Sequence, residues 1–300
     1  RGGISVIEGY LSQFESYLKD DKRCSKNTLS AYMRDILQFL EYCTVNGNNN
    51  IAEIDEPFIK KYIDFLIKSG KSDATKTRVI ASVKGYFRFL HIKKIIPEDP
   101  SINLKNPRNK KKLPEILSSK EVLLLLSQPS GKDYKSIRDR AMLELLYATG
   151  MRVSELIDLS ISDINPQIGI VNLHNEKSSR IVPIYKTATK HIAEYIEYVR
   201  PAIIGDSGSD KLFLNLSGNP LSRQGCWKII KYYADKAGIE GDITPQTLRH
   251  SFAAHLLENG ANLKDVKDML GHSDISSTQI YADIIKSKFA LSYQKFHPLA

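Results

Sequence analysis

A proline-spaced basic stretch divides the chain into two parts, and it constrains the fold more than any other sequence feature. Residues 95–121 read IIPEDPSINLKNPRNKKKLPEILSSKE, with four prolines and a cluster of lysine and arginine before Pro114. Proline removes a backbone donor and disrupts the interiors of helices and sheets, so this composition favours an extended linker. Three hundred residues also exceed the usual size of one domain. We therefore predict two domains, residues 1–104 and 116–300, joined by a basic linker at 105–115.

The charge of the chain indicates a polyanionic partner. The formal net charge is +9. Residues 1–110 hold 19 Lys and Arg against 13 Asp and Glu, a difference of +6, and the longer remainder holds 24 against 21, a difference of +3. Nucleic acid is the commonest partner for such a balance. The N-terminal part is the more basic per residue, which suits a clamp on a phosphate backbone.

Cysteine spacing and hydropathy argue against a cysteine metal site, a disulfide-stabilised fold and a membrane-spanning protein. Cys24, Cys43 and Cys226 are widely separated, form no metal-ligand spacing and leave one thiol unpaired in any disulfide scheme. No apolar run approaches the roughly 20 residues of a membrane span, and no signal-peptide pattern opens the chain. We therefore expect a cytoplasmic protein that has no membrane partner.

Before the linker, apolar residues recur at helical spacing in four segments. The segments are SVIEGYLSQFESYL, NTLSAYMRDILQFLEYC, EPFIKKYIDFLIKS and DATKTRVIASVKGYFRFLHI. Asn27 and Asp73 begin the second and fourth segments as N-caps would. The polar faces of these two segments carry basic residues, including Arg34, Lys76, Arg78 and Lys84. A small all-α nucleic-acid-binding module explains this pattern, and a structural bundle with solvated basic faces is the alternative.

Helical patterns also dominate after the linker, with one exception. The segment GIVNLHNEKSSRIVPIY alternates apolar and polar residues around a polar centre, which is typical of a β-hairpin. The segments on either side are helical by periodicity and by their capping residues. We therefore predict a mainly α fold, with an all-helical N-terminal domain and a mixed, mostly helical C-terminal domain that contains a small β-sheet or hairpin.

Four polar stretches of the C-terminal part carry reactive side chains where a periodic core would not need them. Gly150 and Gly271 each suit the end of a helix, and Thr244 suits the start of one. These junctions and the hairpin carry the candidate residues: Arg152 in ATGMRVSEL, Lys177 in NEKSSR, Arg249 in TPQTLRHSF, and His272 and Tyr281 in LGHSDISSTQIY.

These residue types suit the transfer of a phosphoryl group. A transferred phosphoryl group carries negative charge on its equatorial oxygens, which planar donors such as Arg152 and Arg249 stabilise. A tyrosine hydroxyl can act as a covalent nucleophile, and a lysine can donate a proton to a leaving alkoxide. The stretches contain no cluster of carboxylates, histidines or cysteines with metal-ligand spacing. We therefore expect catalysis without a metal ion or another cofactor.

In this order and spacing, the four stretches resemble the catalytic domain of the tyrosine site-specific recombinases, the phage integrase family. Within that family the chain is most similar to the Xer-type recombinases. NTLSAYMRDILQFLEY and VIASVKGYFRFL resemble the helical, SAM-like core-binding domain, and NKKKLPEILSSKEV resembles the interdomain linker. The resemblance covers nearly the whole chain. It implies a DNA clamp at 1–104 and a catalytic domain at 116–300 that ends in a C-terminal exchange segment.

The resemblance implies a role for each candidate residue. Tyr281 would attack the scissile phosphate and form a 3′-phosphotyrosyl link, which frees a 5′-hydroxyl. Arg152 and Arg249 would bind the non-bridging oxygens of the phosphate. Lys177 would protonate the leaving oxygen, and His272 would hydrogen-bond the phosphate or the transition state.

Three residues near these candidates need separate interpretations. Gln246 occupies the position where the family usually has a histidine or lysine that assists proton removal from the tyrosine, and glutamine cannot take up a proton near neutral pH. Glu155 would orient Arg152 or, alternatively, be a solvated acid on a helix face. His250 lies outside the family's catalytic positions, and we expect it to make a structural hydrogen bond.

The implied partner is double-stranded DNA that carries a specific recombination site. The basic residues expected to contact its backbone are Arg34, Lys76, Arg78, Lys84, Lys110, Lys111 and Lys112. The resemblance also implies a tetramer on DNA, formed by copies of this chain or together with a paralogue. The segment after Tyr281 would reach a neighbouring subunit in that assembly.

Several functions remain open at this point. A site-specific recombinase that resolves chromosome dimers, with a part in chromosome partition and the cell cycle, is the main interpretation. An integrase or excisionase of a mobile element is the second, and a DNA-binding protein of the same fold with weakened catalysis is the third. A phosphatase or a type IB topoisomerase would use similar residues, but a separate basic helical domain argues against a small-molecule phosphatase.

Overall fold

The computed structural model describes residues 10–104, 114–175 and 178–284. Contacts between Cα atoms divide the chain into two compact units, Arg1–Lys111 and Lys112–Ala300. Within the described ranges, no helix is both long enough and apolar enough to cross a membrane. Four of the predicted site residues lie outside the described residues: Lys110, Lys111, Lys112 and Lys177. Most of the predicted exchange segment also lies outside them.

The N-terminal unit is helical, as its periodicity predicts. Its elements are α1 (residues 10–16, followed by a π-helical turn at Tyr17–Asp21), α2 (Lys26–Val45), a 3-10 turn (Ile51–Glu53), α3 (Glu56–Lys68) and α4 (Asp73–Ile92). Aromatic side chains fill its core. Phe39 packs against Tyr62 and Phe87 with ring centroids 5.0 and 5.8 Å away. Such rings bury large apolar areas, so they dominate the stability of a small core. The all-helical prediction for this part is confirmed.

Serines cap α2 and α4, in place of the predicted Asn27 and Asp73. The side-chain oxygens of Ser25 and Ser72 each accept a hydrogen bond, at 3.3 Å, from the backbone N–H three residues further on. Both serines have extended backbone, which is what lets a short side chain reach back to the first helical turn. Asn27 and Asp73 are already helical, so the prediction of these two caps is wrong.

A buried carboxylate links α2 to α4. Asp35 accepts a hydrogen bond from Ser82 Oγ at 2.8 Å and forms an ion pair with Arg78 Nη2 at 3.0 Å. Burial raises the pKa of Asp35, and the hydrogen bond from Ser82 and the charge of Arg78 oppose that rise. A buried charge without a partner is costly, so Arg78 is needed inside this unit to compensate Asp35.

The C-terminal unit is mostly helical and contains one small sheet. Its helices are α5 (Ser119–Ser127), α6 (Tyr134–Thr149), α7 (Val153–Asp158), α8 (Lys186–Glu194, followed by a π-helical turn at Tyr195–Val199), α9 (Arg200–Ile204), α10 (Arg223–Lys236), α11 (Pro245–Glu258), α12 (Leu263–Leu270) and α13 (residues 276–284). Short 3-10 turns lie at Ile161–Asp163 and Gly205–Ser207. The predicted mixed, mostly helical architecture is confirmed.

The sheet has three antiparallel strands, and the predicted hairpin forms two of them. The strands are β1 (Ile164–Asn165), β2 (Ile170–Asn175) and β3 (Ser178–Pro183), in the order β1-β2-β3. In the hairpin, Val171 pairs with Val182 and Leu173 pairs with Arg180. Val171, Leu173 and Val182 are buried in the main core of the unit, whereas Ile181 on the opposite face is exposed. Successive side chains of a strand point to opposite faces, which explains the alternation in the sequence.

Gly150 forms a left-handed turn between α6 and α7 that has no room for a side chain. Its φ is +57°, and it caps the C-terminal end of α6, as predicted. A Cβ atom at this position would overlap the ring of the buried Phe252 in α11. The turn brings Arg152 to the N-cap position of α7. The packing of α11 against the α6–α7 turn therefore depends on this glycine.

One carboxylate connects three elements of the C-terminal unit. Glu155 in α7 accepts two hydrogen bonds from Arg180 of β3, at 2.7 Å from Nη1 and 3.0 Å from Nη2. Arg180 Nε also donates to the Met269 carbonyl oxygen of α12 at 2.6 Å. Glu155 is only 5% exposed, so the alternative of a solvated acid is wrong. Burial alone would raise the pKa of Glu155, but the hydrogen bonds and charges of Arg180 and Arg152 outweigh burial and lower it.

We predict that Gly150→Ala destabilises the C-terminal unit by about 2–5 kcal/mol, the sum of left-handed backbone strain and overlap with a packed ring. Gly238→Ala is the matched control, because Gly238 has a φ of +65° and open space around the added Cβ. It should cost only the backbone strain, about 1–2 kcal/mol. Urea unfolding followed by the fluorescence of Trp227, the one tryptophan of the sequence, measures both variants. Equal losses in the two variants would show that the overlap with Phe252 is unimportant.

Glu155→Gln should lower the free energy of unfolding by about 3–5 kcal/mol at pH 7, because it leaves the Arg180 side chain, which is only 9% exposed, uncompensated. The pKa of Glu155 is lowered in the folded state, so its stabilisation is complete above the ordinary value of 4.5 and is lost as the pH falls below it. The difference between variant and parent should therefore shrink from pH 7 to about pH 3.5. Glu240→Gln, at an exposed position of the same unit, is the control. A difference that stays constant over this pH range would contradict the ion-pair account.

Candidate active site

Two helix C-terminal ends meet around the side chain of Arg249, which lies in the first turns of α11 and is 1% exposed. Its Nη1 donates to the Gly150 carbonyl oxygen at 2.6 Å, and its Nη2 donates to the Leu270 carbonyl oxygen at 2.8 Å. These carbonyls belong to the C-terminal ends of α6 and α12, where the helix dipole is negative. One buried guanidinium group thus satisfies backbone acceptors at two helix ends.

Arg249 keeps its positive charge although it is buried. Burial, and then the neighbouring charge of Arg152, lowers its pKa to about 10, so the side chain is protonated at neutral pH. A guanidinium group has five N–H donors. In the described part of the chain, three of them are used by Gly150, Leu270 and His272. Two N–H donors, one on Nη1 and the other on Nε, are not used by these three partners.

His272 lies directly after the Gly271 turn that ends α12, and both of its ring nitrogens have partners. Nε2 is 2.9 Å from Arg249 Nη2, and Nδ1 is 2.9 Å from Thr278 Oγ1. Arginine can only donate, so Nε2 must accept and Nδ1–H must donate to Thr278. Burial, and then the charge of Arg249, lowers the pKa of His272 to about 4, so the ring is neutral at physiological pH.

Arg152 is the more accessible of the two predicted phosphate-binding arginines. Its side chain is 39% exposed, and its Nη1 lies 3.3 Å from Glu155 Oε1. Its backbone N–H donates to Glu155 Oε2 at 2.7 Å. The expected contact between Glu155 and Arg152 is therefore present. Arg180 makes shorter contacts with Glu155, but it was not predicted as part of the site. The sequence feature that could have identified it is an arginine at an inward-facing position of the hairpin.

Tyr281 lies in α13 and is buried, with 2% of its surface exposed. Its hydroxyl is 2.8 Å from His250 Nδ1. Burial raises the pKa of Tyr281, and the charges of Arg249 and Arg152 oppose that rise. The phenol is therefore protonated at neutral pH. The structural hydrogen bond expected of His250 is thus made to the predicted nucleophile itself.

Gln246 is exposed on the wall of an open cavity of about 830 Å³. Arg152 lines the same cavity, and so do the side chains of Arg223, Trp227 and Lys228. A cavity with three basic residues suits a polyanion. Gln246 is therefore placed to contact a ligand that reaches Arg152, whereas Lys177 lies outside the described residues and its role stays a prediction.

The basic residues predicted to bind DNA in the N-terminal unit have different surroundings. Arg34 is exposed. Lys76 pairs with Asp73 at 3.1 Å, and Arg78 pairs with the buried Asp35. The Lys84 ammonium donates to backbone carbonyl oxygens near the end of the unit, at 2.9 Å for the closer one. Contacts of these four residues with a phosphate backbone stay a prediction, and Arg34 is the one that the fold leaves most accessible.

The structure brings Arg152, Arg249, His272 and Tyr281 together from three separate stretches of the C-terminal sequence. Two guanidinium groups, one neutral imidazole and one phenol suit a reaction in which an oxygen nucleophile attacks a phosphate diester. Among the described residues, no group of three or more histidine, cysteine or carboxylate side chains could hold a metal ion.

Two family models match the chain. "Phage integrase family" matches residues 115–288, and "Phage integrase, N-terminal SAM-like domain" matches residues 11–94. The chain is 43% identical over 297 residues to the tyrosine recombinase XerD of Staphylococcus epidermidis, and this match covers 99% of each chain. It is 42% identical, with the same coverage, to the tyrosine recombinase XerD of Staphylococcus aureus.

Two solved recombinase structures have a fold similar to that of this chain. The fold is similar to that of the XerA recombinase, with a TM-score of 0.54 and 29% identity over 97% of this chain and 99% of the other. It also resembles the XerH site-specific recombinase bound to its difH substrate after cleavage, with a TM-score of 0.75 and 23% identity over 94% of this chain and 83% of the other. The chain therefore belongs to the phage integrase family of tyrosine recombinases.

Proposed function

We propose that the chain is a site-specific DNA recombinase that cuts and rejoins strands through a 3′-phosphotyrosyl intermediate. The observation that carries this proposal is the grouping of Arg152, His272 and Tyr281 around Arg249. Arg249 contacts His272, and the charges of Arg249 and Arg152 act on the Tyr281 hydroxyl. The full-length similarity to tyrosine recombinases named XerD supports a Xer-type task, which we take to be the resolution of chromosome dimers. The substrate is double-stranded DNA with a specific recombination site, and the activity belongs in the cytoplasm.

The arginines account for binding and for transition-state stabilisation. Arg152 lines the open cavity, and Arg249 has N–H donors beyond the three that Gly150, Leu270 and His272 use. Each non-bridging oxygen of a scissile phosphate then meets a charge-assisted donor. The donors are held by the fold before substrate arrives, so they need no reorganisation as negative charge shifts during the reaction.

Tyr281 supplies the nucleophile. Its oxygen forms a bond to phosphorus while the bond from phosphorus to the 5′ oxygen breaks, and Lys177 protonates that leaving oxygen in our proposal. The phosphotyrosyl ester keeps the energy of the broken diester, so a 5′-hydroxyl from the partner strand can reverse the step. Gln246 is proposed to hydrogen-bond the phosphate from the cavity wall, since an amide can do that without changing protonation.

The active assembly is proposed to be a tetramer on DNA, built from copies of this chain or together with a paralogue. The λ integrase tetramer bound to a Holliday junction has a similar fold and supports a multimeric assembly on DNA. The basic N-terminal unit would form one side of the DNA clamp, with Arg34 as its most accessible described contact.

Tyr281→Phe should retain specific DNA binding and lose covalent adduct formation completely, because only the attacking hydroxyl is removed. The measurement uses a suicide substrate with a nick beside the cleavage site, which traps the parent enzyme as a protein–DNA adduct. A gel-shift titration of the same duplex reports binding. If the chain bound DNA without catalysis, both the parent and the variant would shift the duplex and neither would form an adduct. If the chain were a phosphatase, neither protein would shift the duplex or form an adduct. An adduct formed by the phenylalanine variant would refute the assignment of Tyr281.

A further inference from the structure

We propose that His250 is the general base of DNA cleavage, and that its Nδ1 takes the proton of the Tyr281 hydroxyl as that oxygen attacks the phosphate. The inference rests on the proposed recombinase function. It adds to the reaction a residue that the sequence interpretation left outside the catalytic set.

The contact between the two side chains has the geometry that a general base requires. The Tyr281 hydroxyl lies 2.8 Å from His250 Nδ1, and the ring centroids are 5.5 Å apart with an angle of 52° between the ring planes. A base must be within about 2.6–3.2 Å of the oxygen that it deprotonates. In the tautomer that carries its hydrogen on Nε2, His250 accepts the phenolic hydrogen directly.

The other described groups around the hydroxyl are poorer bases. Both ring nitrogens of His272 are occupied, one by Arg249 and the other by Thr278. A guanidinium group stays protonated and cannot accept a proton. The amide of Gln246 cannot accept one either near neutral pH. His250 is therefore the group in contact with Tyr281 that can perform this step.

The helix geometry explains how a base can lie here without a histidine at position 246. Gln246 and His250 are four residues apart on α11, so they are neighbours along one helix face. Arg249 precedes His250 and projects in a different direction, toward the ends of α6 and α12. One helix can thus present two neighbouring side chains, one that binds the phosphate and one that acts as a base for the nucleophile.

Burial and the neighbouring positive charges keep His250 unprotonated before the reaction. Burial, and then the charge of Arg249, lowers the pKa of His250 to about 4. Among the described residues, the other charged or titratable groups that face the pair are Arg152, which acts on Tyr281, and His272. A bound phosphate offsets the arginine charges, which makes His250 more basic. The phenolic proton becomes more acidic as its oxygen bonds to phosphorus, so transfer to a weak base is favourable at that stage.

The proton balance is complete without another reactant. As the bond from the Tyr281 oxygen to phosphorus forms, its proton moves to His250 Nδ1, and the leaving 5′ oxygen receives a proton from the general acid. In the rejoining step the attacking 5′-hydroxyl returns its proton to the deprotonated general acid, and protonated His250 gives its proton to the departing phenolate.

The test is the single-turnover rate of suicide-substrate cleavage by full-length His250→Asn. Asparagine keeps an amide near the position of Nδ1, so it can hold the tyrosine by a hydrogen bond but cannot take its proton. We expect cleavage at pH 7 to be slower by about 10²-fold or more. If His250 only positioned Tyr281, the asparagine variant would cleave at nearly the parent rate, and the proposal would be wrong.

The pH profile separates a base from a structural role. The parent rate should be level between pH 6 and 8, because His250 is unprotonated above its pKa of about 4. Without the base, the rate should rise about tenfold per pH unit over this range, since the fraction of ionised phenol rises by that factor. A level profile for His250→Asn would overturn the proposal. On a substrate with sulfur as the 5′ bridging atom, the defect should persist, since a thiolate leaves without a general acid.

Two controls make the outcomes distinct. His255→Asn is the matched control, because His255 lies on the same helix as His250 and its Nδ1 makes a hydrogen bond of 2.9 Å to the Tyr147 hydroxyl of α6. This variant should leave the cleavage rate nearly unchanged. If the asparagine variant does not fold, as judged by Trp227 fluorescence, His250→Gln provides the same comparison, because its amide can hydrogen-bond the tyrosine but cannot take its proton. If the parent forms no adduct, the recombinase function itself fails. If the parent forms an adduct and both His250 variants match its rate, only the role of His250 fails.

Discussion

The buried guanidinium group of Arg249 is the interaction on which the site depends. It joins the C-terminal ends of α6 and α12 through the Gly150 and Leu270 carbonyl oxygens, and it holds His272 in one tautomer. Backbone carbonyl groups at buried helix ends need donors, and a phosphate needs a positive charge. The same side chain meets both requirements, so the fold and the site cannot be separated at this residue. The cost of burying the charge is offset by the negative ends of two helix dipoles.

The charge balance of the described part of the site explains why it attracts an anion. The guanidinium groups of Arg152, Arg180 and Arg249 surround the single carboxylate of Glu155, which leaves an excess of positive charge. Glu155 makes this assembly possible, because it pairs with Arg180 and also contacts Arg152. A scissile phosphate supplies the missing negative charge. Substrate binding therefore reduces the electrostatic repulsion among the three guanidinium groups of the folded protein. Burial, and then the same excess charge, lowers the pKa of His250 and His272, so both imidazole rings stay neutral and able to accept hydrogen bonds.

Local patterns predicted most of the fold, whereas the long-range pairs of the site were not visible in them. Helical periodicity, the hairpin and the left-handed turn at Gly150 are properties of short segments, and each appears where it was predicted. The caps at Asn27 and Asp73 were wrong because a serine before each helix competes for the same N–H groups. Arg180 was missed because its partners lie 25 and 89 residues away, in α7 and α12. His250 was assigned a structural role because sequence order cannot show which neighbour of Arg249 faces the tyrosine.

The most direct test of the account is to locate the covalent link. The parent protein is trapped on a nicked duplex, digested with a protease and then analysed by mass spectrometry for the peptide that carries a nucleotide. The chain contains 15 tyrosines, so the outcome is informative. The account predicts that one peptide is modified, that the modified side chain is Tyr281, and that the nucleotide is attached through its 3′ phosphate. A nucleotide on another residue, or attachment through a 5′ phosphate, would contradict it.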